Sequence, residues 1–243
     1  MYTALVAIDR RLFEGKLKSA VVYPEFFPLD SSHTVVNLGC GVGPQVAVYA
    51  GQFAEMACVD LSEDRLRQLE VFMQERGVEG YRAICARVEE TGLPAADFDR
   101  AVCIDIIEHL EDPSAFLAEV HRLLKPGGAA LITIPVMHDH YVHVARGVKN
   151  LITGKKTRVL PEGHPDRHNT ELSRRSWMKV FAASPLVLTR VRATTLFPPL
   201  HLYGVPKFWF TCWPVHVLDR FLCSVPLLRR LGQSWMCVLK KPE

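Results

Sequence analysis

Val35-Val36-Asn37-Leu38-Gly39-Cys40-Gly41-Val42-Gly43-Pro44 is the stretch that decides the fold. Val35 to Leu38 reads as a short buried strand, apolar but for one amide. It runs into glycines at alternate positions, and Pro44 then suits the first turn of a helix, where its missing N–H costs nothing. Glycine permits a sharp turn and lets the main chain approach a ligand where a Cβ would collide. After one intervening helix a second apolar strand ends on Val59-Asp60. Strand, glycine turn, helix, strand and carboxylate together lay out a nucleoside-binding crevice at the carboxyl edge of a parallel sheet, with the acid placed to accept from the ribose hydroxyls.

Spacing narrows the nucleoside. A dinucleotide fingerprint requires G-x-G-x-x-G, but counting from Gly39 puts Pro44 at the third glycine, and counting from Gly41 puts Val46 there. Neither register fits. Downstream, Ser62 stands as an N-cap with Glu63 and Asp64 in the first helical turn, and Gly77 stops that helix. A third strand is expected at Tyr81 to Ala86. Leu93-Pro94 and Phe98-Asp99 follow, then a strand from Arg100 to Ile104, the cluster Asp105-Ile106-Ile107-Glu108-His109-Leu110, and Asp112-Pro113 opening another helix. Lys125-Pro126-Gly127-Gly128 ends that helix and turns into a strand from Ala129 to Pro135.

The G-x-G-x-G run and this LP, FD, EHL, LKPGG series resemble, in order and separation, the class I S-adenosylmethionine-dependent methyltransferases, over roughly residues 33 to 136. The resemblance implies a single Rossmann-like doubly wound α/β sheet, mostly parallel with an antiparallel edge strand and helices on both faces. It also implies S-adenosylmethionine as cofactor and S-adenosylhomocysteine as product. Carried onto this sequence, Gly39 and Gly41 hold the amino acid end, Asp60 takes the ribose, Leu61 and Val88 sandwich the adenine, and the Asp105 backbone lies near the methionine end. Two positions depart from the pattern. Asn37 stands where an acid is common, which weakens an outer contact to the methionine amino group or leaves it to water. Arg87 stands where many members carry an aspartate for the adenine amino group; Glu89 is the alternative carboxylate, and a solvated surface role for Arg87 stays open.

Methyl transfer is an in-line displacement at a sulfonium, so the protein mainly aligns the acceptor and, where needed, removes its proton. His109, directly after the fourth strand, is the first candidate base, since imidazole titrates near neutrality; a packing role at a helix start is the alternative. His138, His140, His143, His164 and His168 put five of the ten histidines into one connection expected to cover the substrate, and His140 is the second catalytic candidate. Asp105, Glu108, His109 and His168 loosely resemble the E-x-x-E-H…H metal site of small-RNA 3′-end methyltransferases and of some quinone-pathway O-methyltransferases. Asp105 is one methylene short of that pattern, and EHL occurs in members without a metal, so no metal ligand is assigned.

The acceptor side falls to the least family-like segment, Phe197 to Trp213, with rings at Phe197, Tyr203, Phe208, Trp209, Phe210 and Trp213. These either line a pocket for an aromatic or lipid-like acceptor or pack the segment onto the sheet. Val217, Leu218, Phe221, Leu222 and Val225 then recur at helical spacing before Arg229-Arg230. Such a stripe either rests on a membrane surface, making 214–231 a peripheral contact, or packs on the domain.

At 243 residues and 49% apolar content the chain can bury one full core. The organisation expected is a helical cover over 1–32 (its helix Thr3 to Val22), the cofactor core at 33–136, a histidine-rich connection at 137–170, a helix from Leu172 to Ala182, a strand from Leu186 to Ala193, an insertion at 195–232 and a last strand from Ser234 to Lys240 that closes the antiparallel edge. A net charge of +3 does not argue for nucleic acid, so no DNA is expected and RNA is not favoured. Seven cysteines form no C-x-x-C pair, and Cys40, Cys58, Cys85 and Cys103 are expected as buried free thiols, which points to the cytoplasm. The start of the chain lacks a signal-peptide pattern, and no segment reaches bilayer-spanning length. The function expected is methyl transfer to an oxygen or nitrogen of a small, apolar or aromatic acceptor. The alternatives are a metal-dependent RNA 3′-end methyltransferase, a nicotinamide oxidoreductase, which the failed glycine register opposes, and a degenerate cofactor-binding or interaction protein, for which Asn37 and Arg87 speak.

Overall fold

The computed structural model describes residues 24–135, 169–170, 172–195, 213–225, 232 and 234–243. Its strands are β1 Thr34–Leu38, β2 Glu55–Asp60, β3 Tyr81–Cys85, β4 Phe98–Cys103, β5 Leu124–Pro135, β6 Val187–Thr195 and β7 Ser234–Lys240. They form one sheet in the order β3-β2-β1-β4-β5-β7-β6. Pairings among β1 to β5 are parallel, and β7 runs antiparallel to both β5 and β6. The order reverses between β1 and β4. That switch point opens a crevice beyond the carboxyl ends of these strands, which is where the glycine turn lies.

The strands alternate their side chains between two cores, as a sheet covered on both faces must. Val36, Leu38, Ala57, Val59, Ala101 and Cys103 pack under the helices α3 Pro113–Leu123 and α4 Arg174–Ala183, where Trp177 and Phe181 are fully buried. Val35, Met56, Cys58 and Val102 face the other way, toward α1 Pro44–Val48 and α2 Glu63–Glu75. Local chemistry sets the helix starts. Ser62 Oγ accepts from Arg65 N–H at 3.4 Å at the head of α2. Asp112 accepts from Ser114 and Ala115 N–H at 2.8 and 3.2 Å at the head of α3, with Pro113 in the first turn.

Three details differ from the sequence reading. Strand β5 begins at Leu124, because Leu124 pairs with Phe98 while Ala129 pairs with Arg100; Lys125 to Gly128 therefore bulge out of a strand instead of preceding one. The bulge needs glycine: a Cβ on Gly128 would lie 2.8 Å from the Lys125 carbonyl oxygen. Second, β7 inserts between β5 and β6, so the outermost strand at the antiparallel end is β6. Third, Cys40, Cys58 and Cys103 are buried but Cys85 is exposed, since β3 is an edge strand with only partial cover. The expected helix Thr3 to Val22 lies outside the described residues, as do 137–168. Of the segment 195–232, the helix α5 Trp213–Ser224 is described. No helix among the described residues is long and apolar enough to cross a membrane.

Candidate active site

The glycine turn is stitched to the end of β2. Gly39 and Cys40 N–H both donate to the Val59 carbonyl, at 2.8 and 3.1 Å. Gly39, Gly41 and Gly43 have φ of 72°, 55° and 84°, in the left-handed region that side chains avoid. Their surroundings differ. A Cβ on Gly39 would press to 2.8 Å from Ile106, and one on Gly43 to 2.8 Å from Leu69, whereas one on Gly41 would meet nothing within 4 Å. Packing requires glycine at the first and third positions, and the middle one faces open space.

Asp60 is only 7% exposed. Its Oδ2 accepts from Gly41 N–H at 2.8 Å and its Oδ1 from Ser62 N–H at 2.9 Å. The two main-chain donors fix the carboxylate plane and leave lone pairs on both oxygens for further donors. Beside it Leu61 is 66% exposed, an open apolar surface at the strand end. Val88 is different: at 6% exposed it packs into the core with Leu93 and Phe98, so little of its side chain is free. Arg87 and Glu89, the two alternatives for an adenine contact, are joined to each other, Arg87 Nη2 donating to Glu89 Oε1 at 3.0 Å.

A buried network that no motif announces anchors the loop carrying these residues. Thr91 N–H and Oγ1 both donate to Glu119 Oε1 at 3.0 and 2.6 Å, and Arg122 closes a two-pronged pair on the same carboxylate at 2.6 and 2.8 Å. Burial alone would raise the Glu119 carboxyl, but the Arg122 and Thr91 hydrogen bonds outweigh it and hold it below its ordinary range.

Asp105 is one of two non-glycine residues with positive φ among those described, at 51°. Thr133, 2% exposed on β5, holds it there: Asp105 N–H donates to Thr133 Oγ1 at 2.7 Å, and that hydroxyl donates to Asp105 Oδ1 at 3.1 Å. On the face of β1 that packs toward α1, Asn37 is 1% exposed with neither amide atom hydrogen-bonded, and Gln45 Oε1 on α1 is likewise buried without a partner. Such groups are rare in folded interiors because each forfeits its hydration.

His109 ends the 3-10 turn Ile107–His109 and is half-buried. The chain returning at Asn169 and Thr170 grips this turn, the side-chain amide of Asn169 donating to the His109 carbonyl at 2.7 Å. His140, with His138, His143, His164 and His168, lies outside the described residues, as do the rings from Phe197 to Phe210. Among the described residues no three His, Cys, Asp or Glu side chains converge as metal ligands would. On α5, Val217, Leu218 and Phe221 are 46%, 49% and 64% exposed while Cys223 is buried, so most of the apolar stripe faces outward. The sequence reading missed Thr133, Thr91, Glu119, Asn169 and Thr170. A lone hydroxyl inside the apolar run Leu131-Ile132-Thr133-Ile134 is a readable signal for the first, and the others carry none.

A family profile described as "Methyltransferase domain" matches residues 36–132. A ubiquinone biosynthesis O-methyltransferase of Methylococcus capsulatus is 31% identical over 162 residues, 63% of this chain and 66% of that protein. The chain thus spans just under two thirds of that curated relative. Among solved structures, a putative methyltransferase from Bacillus halodurans superposes with a TM-score of 0.65 at 17% identity, covering 90% of this chain and 96% of the other. The geranyl diphosphate C-methyltransferase of Streptomyces coelicolor, solved with S-adenosyl-L-homocysteine, gives 0.62 at 14% identity over 92% of this chain and 75% of that one. At these identities the two structures speak to the fold alone. The methyltransferase domain at residues 36–132, the O-methyltransferase relative and the sheet order together support a class I S-adenosylmethionine-dependent methyltransferase, with S-adenosylmethionine as cofactor.

Proposed function

We propose that this protein transfers a methyl group from S-adenosylmethionine to an oxygen or nitrogen of a small, apolar or aromatic acceptor. The observation that carries the reading is Asp60, a carboxylate pinned by Gly41 and Ser62 N–H beside a glycine with open space and an exposed Leu61. These residues fit the cofactor. The Gly39 to Gly41 turn receives its amino acid end, Asp60 accepts from the ribose hydroxyls, Leu61 covers one face of the adenine, and the Val88 main chain with the Arg87–Glu89 pair forms the adenine rim. Asn37 keeps one donor and one acceptor, without a formal charge, behind the turn. The strained Asp105 lies at the end of β4, where its backbone lines the methionine side.

When bound, the cofactor supplies a methyl group on a sulfonium, a leaving group that needs no further activation. The protein's own part is then to hold the acceptor in line and take its proton. His109 serves as that base at the mouth of the crevice, with His140 the second candidate. The name of the Methylococcus relative supports an oxygen acceptor of quinone type. The outward Val217, Leu218 and Phe221 support peripheral contact with a membrane that carries such an acceptor, and the protein is otherwise expected in the cytoplasm.

Calorimetric titration with S-adenosylhomocysteine tests the cofactor site: saturable binding well below about 1 mM is expected, and none at that concentration removes the proposal. Transfer of labelled methyl from S-adenosylmethionine in the presence of a lipid extract, partitioned between organic solvent and RNA, tests the acceptor. Label in the organic phase, indifferent to a chelator, is expected. Label in RNA that vanishes on chelation replaces this reading with the metal-dependent one.

A further inference from the structure

Four hydrogen bonds join the chain at Asn169 and Thr170 to three successive carbonyls of the turn after β4. Asn169 and Thr170 N–H both donate to the Glu108 carbonyl, at 2.9 and 3.0 Å. Asn169 Nδ2 donates to His109 O at 2.7 Å and Thr170 Oγ1 to Leu110 O at 2.8 Å. This turn touches the cofactor loop directly, since the side chain of Ile106 fills the place where a Cβ on Gly39 would sit, at 2.8 Å. On its other side Thr133 holds Asp105 by two hydrogen bonds. The turn is therefore gripped at both ends, and its middle supports the glycine that opens the cofactor cradle.

We propose that Asn169 and Thr170 are positioning residues of the cofactor site, acting through the Ile106 to Leu110 turn on Gly39. The carbonyls they take up are those of a short 3-10 turn, whose own backbone bonding leaves carbonyls in need of outside donors. Without these donors the turn loses its fixed height against the sheet, and Ile106 no longer holds Gly39 in its left-handed conformation. The coupling is reciprocal: what steadies the glycine turn also steadies the grip at Thr170. The inference rests on S-adenosylmethionine as the cofactor.

The test uses the full chain and S-adenosylhomocysteine as probe, which needs no knowledge of the acceptor. Thr170→Val keeps the side-chain shape and removes one hydrogen bond; Thr170→Ser keeps the bond; Asn169→Ala removes the grip on His109 O independently. Loss of one such bond should weaken S-adenosylhomocysteine about three- to tenfold in Thr170→Val and in Asn169→Ala, with Thr170→Ser within about twofold of the parent. In the parent, bound S-adenosylhomocysteine should slow amide hydrogen exchange at Asn169 and Thr170 as well as at Gly39 to Gly41. That remote protection should vanish in Thr170→Val. A lower melting temperature with unchanged affinity and unchanged exchange protection would overturn the proposal and leave a merely structural clamp. No binding by the parent itself would overturn the cofactor reading instead, and this inference with it.

Discussion

The two ends of the parallel strands are built by opposite rules. At the amino end, Asp99 accepts from Thr34 N–H at 2.9 Å and Oγ1 at 2.8 Å and from the Lys125 ammonium at 3.0 Å on each oxygen, so these two opposite charges answer each other. At the carboxyl end, Asn37 is buried with both amide atoms unpaired, Asp105 sits at positive φ, Leu61 faces outward and Gly41 borders empty space. Around Asp99 the bonding is satisfied. The carboxyl end carries strain and unmet bonding capacity, which a ligand can use. The lesson is that function here is marked by what the structure leaves undone.

Five substitutions probe that contrast. Asp60→Ala removes two charge-assisted main-chain bonds and the proposed ribose acceptor, and should weaken S-adenosylhomocysteine about 100-fold or more by calorimetry. Gly39→Ala combines a left-handed backbone with overlap on Ile106 and should destabilise the fold by about 3 kcal/mol in urea unfolding; Gly41→Ala, with room for the methyl, should cost only about 1 kcal/mol yet lose affinity. Equal stability losses at the two glycines would break the distinction between the packed and the open position. At the amino end, burial would raise the Asp99 carboxyl, but Thr34 and Lys125 outweigh it and hold it at about 2. A lowered carboxylate stabilises the fold above its unfolded value and stops doing so as pH falls toward its folded value, so this contribution should disappear between about pH 4 and pH 2. Lys125→Met should cost about 1 kcal/mol after solvent screening, leave S-adenosylhomocysteine affinity unchanged, and flatten that acid limb. The smallest effect is the most diagnostic: Asn37→Leu should raise stability by about 1 kcal/mol while weakening S-adenosylhomocysteine, the reverse of an ordinary core amide.

Much of this was legible in sequence. Strand positions followed from short apolar runs bounded by glycine and proline, and so did the place of Asp60 at the end of the strand one helix after the glycine turn. Gly39 and Gly41 were readable as a pair, but not their separate reasons, because Ile106 comes to Gly39 through the fold and not through the chain. The identity of Asn37 was visible as an oddity; its lack of any partner was not, since that depends on what surrounds it. The burial of Val88 among Leu93 and Phe98 was hidden for a related cause, as an apolar residue looks the same in sequence whether it faces a crevice or the core. The clamp on the EHL turn was out of reach altogether, its partners lying 60 residues apart without a patterned signal.

The placement of β7 has a consequence for how the chain comes to be folded. Among the described strands, β6 pairs with β7 alone, and β5 has β7 as its outer neighbour. During synthesis both must therefore wait for Ser234 and the residues after it, with β5 exposing an open apolar edge meanwhile. The half of the sheet bearing the cofactor turn can assemble from local β-α-β units as it leaves the ribosome. The half formed by β5, β7 and β6 closes in a single late step, where loss of the last strand would invite misassembly.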